Sequence, residues 1–185
     1  MKLLQESPVE FLETLSRPPE TVYVAEVKGI FGKAVMAGTT KGLLLLRLDI
    51  TLSHFAEQIQ SNWGSNVIYD NAPFSSISEN MRKYLEGDSE PIRATVQPVM
   101  LKPFTVNVHR YLTRIPFGTI CLYSEIAREM GNPGAARVVG SACGRNSVLI
   151  IVPCHRVVAS NGLGGFGASL TLKKRLLEHE KIIHK

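Results

Sequence analysis

The chain has 185 residues, of which 44% are hydrophobic and 20% charged, with a formal net charge of +5. This composition can build a folded core and excludes an intrinsically disordered chain. No apolar run approaches the roughly 20 residues of a membrane span, and the three widely spaced cysteines (Cys121, Cys143 and Cys154) fit neither a disulfide framework nor a CxxC metal site.

The N-terminal segment carries acidic residues within its first fifteen positions, with no apolar leader region and no cleavage site after it. We therefore expect a soluble cytoplasmic protein, or a nuclear one in a eukaryote, with reduced thiols and no membrane partner.

Charge is distributed unevenly along the chain. Residues 1–97 hold nine Lys and Arg against twelve Asp and Glu, a net −3, whereas residues 98–185 hold twelve against four, a net +8. The second half is therefore the candidate for contact with an acidic polymer such as a nucleic acid. A basic face that is merely solvated explains the charge equally well at this point.

Three β-strands are predicted between residues 21 and 50, with the sequences TVYVAEVKGI, GKAVMAGTT and GLLLLRLDI separated by glycine-containing turns. A meander is their simplest arrangement. Ser53 is the candidate N-cap of a helix HFAEQIQSNW, and a second helix is predicted from Ile77 to Leu85, ending at Gly87. The first half thus predicts a small α/β domain.

A domain boundary is predicted near Pro98, where prolines cluster and the charge changes sign. Residues 1–97 then form the α/β domain and residues 98–185 a mostly helical second domain. After the boundary, apolar residues at helical spacing predict a helix over FTVNVHRYLTRI, which PFG closes.

Two short helices joined by a tight turn follow. Ser124 is the predicted N-cap of the first, which ends at Gly131; Asn132 is the predicted cap of the second, NPGAARVVGSACG, with Pro133 in its first helical position. This layout is a helix-turn-helix, which binds DNA in some proteins and is plain helix packing in others.

The last third predicts a strand, NSVLIIVPCHRVVAS, then a glycine-rich loop, NGLGGFG, then a helix, LTLKKRLLEHEKII. The loop has neither a GK[ST] nor a GxGxxG pattern in the required position between a strand and a helix. A flexible loop is predicted there, and nucleotide binding is not.

Cys154 is followed directly by His155 and Arg156, two groups able to stabilise a thiolate. Because a free thiol with a pKa near 8.5 is mostly protonated at neutral pH, a nucleophilic cysteine needs such neighbours. A His base in turn needs a group that holds its tautomer, usually a carboxylate. The second half offers four, Glu125, Glu129, Glu178 and Glu180, of which the last helix could bring either of the final two. Cys121 and Cys143 are expected to be buried and inert.

The motifs of the second half also resemble those of a known family. The run PCHRVV, preceded by GRNSVLIIV and followed by LLEHE, resembles the active-site signature of the O6-alkylguanine-DNA alkyltransferases, also called methylated-DNA–protein-cysteine methyltransferases; PFGTICLYSEIA and GNPGAARVVG resemble their helix-turn-helix. The resemblance spans about Phe104 to Glu180. It implies a DNA repair protein that flips an O6-alkylguanine out of duplex DNA and moves the alkyl group irreversibly to its own cysteine, in a single turnover.

The resemblance implies a role for each residue of the site. Cys154 matches the alkyl acceptor, His155 the base that withdraws its proton through a bridging water, and Glu180 the carboxylate that orients the His. Tyr123 matches the tyrosine that lies near the target nucleotide and assists protonation of the departing guanine. Asn146 matches the hinge residue that ties the recognition helix to the active-site strand.

The resemblance further implies that the helix-turn-helix enters the minor groove. Arg137 matches the finger that fills the space left by the extruded base, although without the motif a phosphate-contacting or solvated Arg is the simpler interpretation. A groove about 6 Å wide admits no bulky side chains, and the second helix is rich in small residues: Ala135, Ala136, Val139, Gly140, Ser141 and Ala142. Affinity is then expected to come mainly from phosphate contacts.

The family's fold implies a ribonuclease-H-like N-terminal domain, and its chemistry implies a monomer without a metal or an organic cofactor. Phe166 stands where the family often has Tyr, so we expect a hydroxyl contact to be missing there. Ser169 stands where the family commonly has Gly, and we expect this serine to narrow the pocket. Some relatives bind a structural zinc in the N-terminal domain; residues 1–97 contain no Cys and only His54, so that site is not expected.

Three other functions compete with this interpretation. A non-catalytic lesion sensor of the same family lacks the acceptor Cys, which is present here. A cysteine hydrolase using Cys154 and His155 would turn over small acyl substrates and gives Arg137 no role. A transcription factor would need a specific operator, usually bound as a dimer.

Overall fold

The structure is a computed structural model that describes residues 6–29 and 32–182. The first five residues of the N-terminal segment, Ile30 of the first predicted strand and Ile183 of the last predicted helix lie outside the described residues. The chain divides into two compact units. The sheet unit comprises Val9–Leu101 with Ser147–Leu149, and the helical unit comprises the residues up to Pro8, Lys102–Asn146 and the residues from Ile150 onward.

The sheet unit contains six strands and two α-helices among its described residues. They are, in chain order, β1 (Val9–Phe11), β2 (Thr21–Gly29), β3 (Gly32–Gly38), β4 (Leu43–Leu48), α1 (Leu52–Trp63), β5 (Asn66–Tyr69), α2 (Ser75–Leu85) and β6 (Ala94–Val96). The strand order is β1-β6-β4-β3-β2-β5. β2, β3 and β4 pair antiparallel, so the predicted meander is confirmed. The other strands, of three or four residues, were not predicted and pair in parallel with their neighbours.

Helix α1 packs an apolar face on the sheet. Phe55 and Ile59, one helical turn apart, join Val22, Val24 and Val35 in one core cluster. Strands β2 and β3 are therefore covered by the helix that follows β4.

The starts of the two helices differ from the prediction. Thr51, not Ser53, is the N-cap of α1: its backbone is extended and its hydroxyl accepts from the His54 N–H at 3.3 Å, so Ser53 already lies inside the first turn. Helix α2 starts two residues before Ile77 because a 3-10 turn runs directly into it. Gly87 follows its end with φ +100°, as the sequence predicts.

The helical unit contains four α-helices and one short strand pair among its described residues. They are α3 (Pro103–Leu112), β7 (Cys121–Leu122), α4 (Tyr123–Glu129), α5 (Ala136–Gly144), β8 (Val157–Val158) and α6 (Leu170–His179). β7 and β8 pair in parallel, and α5 packs against both α3 and α4. No helix in the described part of the chain is both long and apolar enough to cross a membrane.

Two predicted caps in the helix-turn-helix are wrong. Helix α4 begins at Tyr123, and the Leu122 N–H is capped by the Glu125 carboxylate at 2.6 Å, so Ser124 lies within the first turn. Helix α5 begins three residues after Pro133, because residues 133–135 form a turn in which the Ala135 N–H bonds to the Asn132 carbonyl at 3.0 Å. Asn132 therefore caps a turn and not the helix.

The predicted strand over residues 146–160 is also wrong, apart from β8. Ile150 takes a left-handed conformation with φ +69°, and Cys154–Arg156 forms a 3-10 turn. The run is apolar because it is buried, and burial alone does not distinguish a strand from a buried turn. Its residues Ser147–Leu149 belong to the sheet unit, where the Leu46 N–H of β4 donates to the Ser147 carbonyl at 2.8 Å.

Candidate active site

Cys154 opens the 3-10 turn and is buried, with 2% of its surface exposed. Its Sγ lies 3.0 Å from the side-chain amide nitrogen of Asn146, which also donates to the Val152 carbonyl at 2.6 Å. Asn146 follows the end of α5. Its amide therefore joins the end of that helix to the backbone and the sulfur of the cysteine segment.

The neighbouring His155 and Arg156 both converge on Glu180. The His155 Nε2 lies 2.7 Å from Glu180 Oε1. Arg156 donates to both carboxylate oxygens of Glu180, from Nε to Oε2 and from Nη2 to Oε1, each at 2.9 Å. Its Nη1 donates to the Ile115 carbonyl at 2.6 Å. The Arg156 guanidinium and the Glu180 carboxylate form a buried, charge-assisted pair.

This arrangement defines the protonation state of His155. Burial alone would raise the pKa of Glu180, but His155 and Arg156 hold it well below its usual range, so Glu180 is ionised. Burial lowers the pKa of His155, against the upward pull of Glu180, so the imidazole is neutral at pH 7. Because an ionised carboxylate can only accept hydrogen bonds, Nε2 carries the proton of the neutral imidazole and donates a hydrogen bond to Glu180. Nδ1 is then the basic nitrogen, and it has no hydrogen-bond partner among the described residues.

In this arrangement Arg156 acts on Glu180, and its expected ability to stabilise a thiolate stays a prediction. A bidentate guanidinium neutralises the carboxylate, which reduces the drive to protonate His155. The sequence does not reveal this contact, because the two residues are far apart in the chain.

The other carboxylates have different partners. Glu178 is half-buried and lies 3.7 Å from the ammonium of Lys174. Glu125 is engaged at the start of α4. Among the described residues, no group of three or more His, Cys, Asp and Glu side chains could hold a metal ion.

The remaining cysteines are buried, as expected. Burial, reinforced by the nearby Cys154, raises the pKa of Cys143 to about 12, which keeps it a thiol at neutral pH. The Cys121 sulfur lies 3.3 Å from a Glu125 oxygen.

Two cavities adjoin the cysteine segment and share Gly140 and Gly165 in their walls. The larger, of about 430 Å³, is bounded by Tyr123, Arg137 and residues of the glycine-rich loop. The smaller, of about 230 Å³, is lined by Cys154 itself together with Gly140, Cys143, Gly144, Gly165, Phe166 and Gly167. Ser169 lines neither; it caps α6 by accepting from the Leu172 N–H at 3.1 Å, so the expectation that it narrows the pocket is corrected.

Tyr123 stands at the start of α4, next to β7, whose parallel pairing with β8 brings it beside the loop. Its hydroxyl donates to the Gly165 carbonyl at 3.0 Å. Burial raises the pKa of Tyr123 to about 12, so the hydroxyl keeps its proton at neutral pH. Lys173, which the sequence did not single out, donates to the same carbonyl at 3.1 Å.

The outer surface of α5 differs from the expected set of small residues. Ala135, Val139 and Ala142 are buried, and Ala135 precedes the helix, so these three do not present their side chains to a partner. Ala136 and Gly140 are half-buried and line the larger cavity, and Ser141 is exposed. Arg137 is exposed, as is Val138, an apolar side chain with 53% of its surface free that the sequence did not single out.

Comparisons with known proteins identify similar chains. Residues 103–182 match the DNA-binding domain of 6-O-methylguanine DNA methyltransferases. A methylated-DNA–protein-cysteine methyltransferase of Saccharolobus islandicus is 32% identical over 157 residues, which cover 84% of this chain and 93% of the relative.

Solved structures of the same kind share the mixed α/β fold. The O6-methylguanine methyltransferase of Mycobacterium tuberculosis superposes with a TM-score of 0.71 at 33% identity, covering 86% of this chain and 93% of the other. A crystal structure of Mycobacterium tuberculosis OGT in complex with DNA is similar with a TM-score of 0.70 at 30% identity, with the same coverage.

Proposed function

Because the chain belongs to the methylated-DNA–protein-cysteine methyltransferase family, we propose that it repairs duplex DNA by moving the alkyl group of O6-alkylguanine to Cys154. The proposal rests on one observation: Cys154 lines a cavity and is followed in the chain by His155, whose Nε2–H donates to Glu180. No second function is favoured by a feature of the site.

Each site residue has a separate role in activating the thiol. Arg156 keeps Glu180 ionised, and Glu180 fixes the tautomer of His155 in which Nδ1 is the base. We place one water between Nδ1 and the thiol, through which the Cys154 proton leaves. The Asn146 amide, 3.0 Å from Sγ, then stabilises the thiolate by donating to it.

The transfer is an in-line displacement at the alkyl carbon. The sulfur–carbon bond forms as the carbon–O6 bond breaks, and the electron pair of that bond leaves with the guanine. Tyr123, which keeps its proton, lies beside the larger cavity and assists protonation of the leaving base. The product thioether has no low-energy reverse step, so each molecule reacts once.

The two cavities suit the two parts of the substrate. The larger cavity receives the extruded guanine, and the smaller one, which the acceptor lines, receives the alkyl group. Extrusion costs a few kcal/mol of stacking and pairing, and Arg137, exposed at the mouth of the larger cavity, fills the space in the duplex.

DNA contact comes from residues 98–185, which carry the net charge of +8 and form the domain that binds DNA and accepts the alkyl group. Helices α4 and α5 form the helix-turn-helix, which approaches the minor groove with the outer side of α5: Arg137, Val138 and Ser141, with the half-buried Ala136 and Gly140 beside them. The domain of residues 1–97 is ribonuclease-H-like, and the protein acts as a monomer.

The decisive test uses a duplex oligonucleotide with a single O6-methylguanine. The peptide containing Cys154 should gain the mass of one methyl group, and the reaction should stop at one equivalent per protein. Cys154→Ala should transfer nothing, whereas Cys121→Ala should react normally. Transfer to another cysteine, or repeated turnover without a protein adduct, would overturn the proposal.

A further inference from the structure

Lys173 is a lysine on α6 with no exposed surface. A buried ammonium is costly unless polar partners replace its water. Among the residues that the structure describes, these partners are three backbone carbonyls and no carboxylate: those of Val157 at 2.6 Å, Leu163 at 2.5 Å and Gly165 at 3.1 Å. Its three N–H groups therefore match three acceptors.

The three carbonyls come from two different segments. Val157 begins β8, directly after the turn that holds Cys154, whereas Leu163 and Gly165 belong to the glycine-rich loop. Lys173 thus connects the backbone next to the acceptor with the loop. The Tyr123 hydroxyl holds the same loop by donating to the Gly165 carbonyl.

The connected loop forms the walls of both cavities. Gly164 and Gly165 line the larger one, and Gly165, Phe166 and Gly167 line the smaller one beside Cys154. Glycine has more conformational freedom than any other residue, so a segment with four glycines between residues 162 and 167 has little intrinsic preference for one shape. The contacts made by side chains outside the loop must select that shape.

We propose that Lys173 is a positioning residue that holds the glycine-rich loop as the wall of the acceptor cavity, so that an alkylated guanine meets the Cys154 sulfur in line. This role rests on the proposed function for its substrate, but the ordering of the loop does not.

The charge state of Lys173 agrees with this role. Burial lowers the pKa of Lys173 to about 8, partly offset by Cys154 and Cys143. The ammonium form, with three N–H groups for three carbonyls, is thus still the main form at pH 7.

The test replaces Lys173 with Met, which has a similar length and no donor, and with Gln, which keeps two N–H groups. Lys174→Met is the matched control, since Lys174 is the next residue, is exposed and pairs only loosely with Glu178. Three rates are measured at Cys154 by mass: with duplex O6-methylguanine, with free O6-benzylguanine and with iodoacetamide, which needs no base pocket.

Lys173→Met should react at least about tenfold more slowly with both guanine substrates, but only a few-fold more slowly with iodoacetamide, because that reagent feels only the lost charge near Cys154. Lys173→Gln should lie between the two, and Lys174→Met should match the unmodified protein. Equal slowing with all three reagents would mean that Lys173 activates the thiol, and no slowing would mean that the loop needs no support. Either result overturns the proposal.

A second measurement does not depend on the substrate. Hydrogen–deuterium exchange of the backbone N–H groups in residues 161–167 should be faster in Lys173→Gln than in the unmodified protein, with exchange in α3 unchanged. Unchanged exchange in the loop would overturn the proposal. If the unmodified protein takes no alkyl group from either guanine, the proposed function fails, and the iodoacetamide and exchange results still decide the role of Lys173.

Discussion

At the scale of single residues, the site is built so that a neutral histidine can sit next to an ionised carboxylate. His155 Nε2 and Glu180 Oε1 lie 2.7 Å apart, and at this distance an ionised carboxylate ordinarily favours the protonated, positively charged imidazole. Arg156 donates to both oxygens of Glu180 and partly neutralises its charge, which reduces this tendency. A neutral, oriented base is the state that a thiol-activating histidine requires.

Glu180→Gln should slow alkylation of Cys154 at least about a hundredfold, because a neutral amide no longer selects the tautomer with the free Nδ1 and no longer supports the imidazolium. Glu178→Gln, two residues earlier on the same helix, should react at nearly the normal rate. Single-turnover rates with an O6-alkylguanine duplex measure both. Equal losses of rate in the two variants would show that the role given to Glu180 is wrong.

Arg137→Ala should reduce repair of duplex DNA by about tenfold or more and leave the reaction with free O6-benzylguanine nearly unchanged. The side chain is exposed and therefore contributes little to the fold, and the free base needs no extrusion. Arg145→Ala is the control, since Arg145 lies just beyond the other end of α5 and bonds to Ser141 at 2.8 Å. The quantity to compare between variants is the ratio of the rate with duplex DNA to the rate with free O6-benzylguanine. An equal drop with both substrates would contradict the proposal that Arg137 fills the space left by the extruded base.

At the scale of elements, the shape of the glycine-rich loop depends on the left-handed backbone of Gly164. Gly164 has φ +69°, and a Cβ there would lie 2.7 Å from the Tyr123 ring and 3.2 Å from the Ala159 nitrogen. Gly165 has no such φ, and a Cβ there would meet nothing within 4 Å. The two adjacent glycines thus differ sharply in what they tolerate.

Gly164→Ala should lower the free energy of unfolding by about 1–3 kcal/mol, from the left-handed backbone and the crowding against Tyr123. Gly165→Ala should change it by well under 1 kcal/mol. Urea unfolding of the two variants side by side checks this. Similar stabilities would show that the loop adjusts freely, which would also weaken the role given to Lys173.

The contact between α3 and α5 contains a buried histidine. His109 donates from Nε2 to the Ala142 carbonyl at 2.9 Å, and burial lowers the pKa of His109 from its ordinary value of 6.5, against a smaller upward effect of that bond. The unfolded chain then takes up a proton below pH 6.5 that the folded chain does not. The stability that depends on neutral His109 is present above pH 6.5 and is lost as the pH falls below it.

His109→Leu should therefore lose less stability than the unmodified protein between pH 7.5 and 5.5, by up to about 1.4 kcal/mol per pH unit below 6.5. His155 has the same sign and is retained in both proteins, and the lowered pKa of Glu180 acts only at more acidic pH. Identical slopes in the two proteins would contradict the assignment to His109.

Elements with many regularly spaced apolar residues were predictable. The meander of β2, β3 and β4 and the helices α1 and α6 follow from periodicity and punctuation, but β1, β5 and β6 are too short for any period to show. The run around Val148 to Val152 predicts a strand because burial on all sides and strand pairing leave the same apolar pattern in the sequence. The convergence of His155 and Glu180 followed from the resemblance, since spacing alone left two glutamates open.

Contacts made by long side chains across the chain were not predictable. Nothing near Lys173 in sequence distinguishes it from the exposed Lys174, and only the fold shows that one is buried against three carbonyls. Arg156 is similar, because its partner Glu180 follows the end of α6, 24 residues further along the chain. Side-chain roles of this kind depend on tertiary placement, for which local sequence carries no signal.

At the scale of the whole molecule, alkylation of Cys154 should lower stability. A thioether sulfur is a poor hydrogen-bond acceptor, so alkylation weakens the contact between Sγ and the buried Asn146 amide, at a cost of up to about 1–3 kcal/mol. The smaller cavity offers room for a methyl group, so bulk should add a further cost only for larger groups such as benzyl.

The methylated protein should therefore melt several degrees below the unreacted one, and the benzylated protein lower still. Cys154→Ala incubated with the same reagents should show no shift, which controls for noncovalent binding. An unchanged or higher melting temperature for both adducts would contradict this account.

The pairing of Ser147–Leu149 with β4 also has a consequence for synthesis on the ribosome. The Leu46 N–H and carbonyl of β4 bond to this segment, whereas β6 pairs with β4 only at Leu43. Translation at roughly 5–20 residues per second leaves these groups without their partner for a few seconds after Leu101 has been made. During that interval the nascent sheet carries an open strand edge, the kind of surface on which chains aggregate and chaperones act.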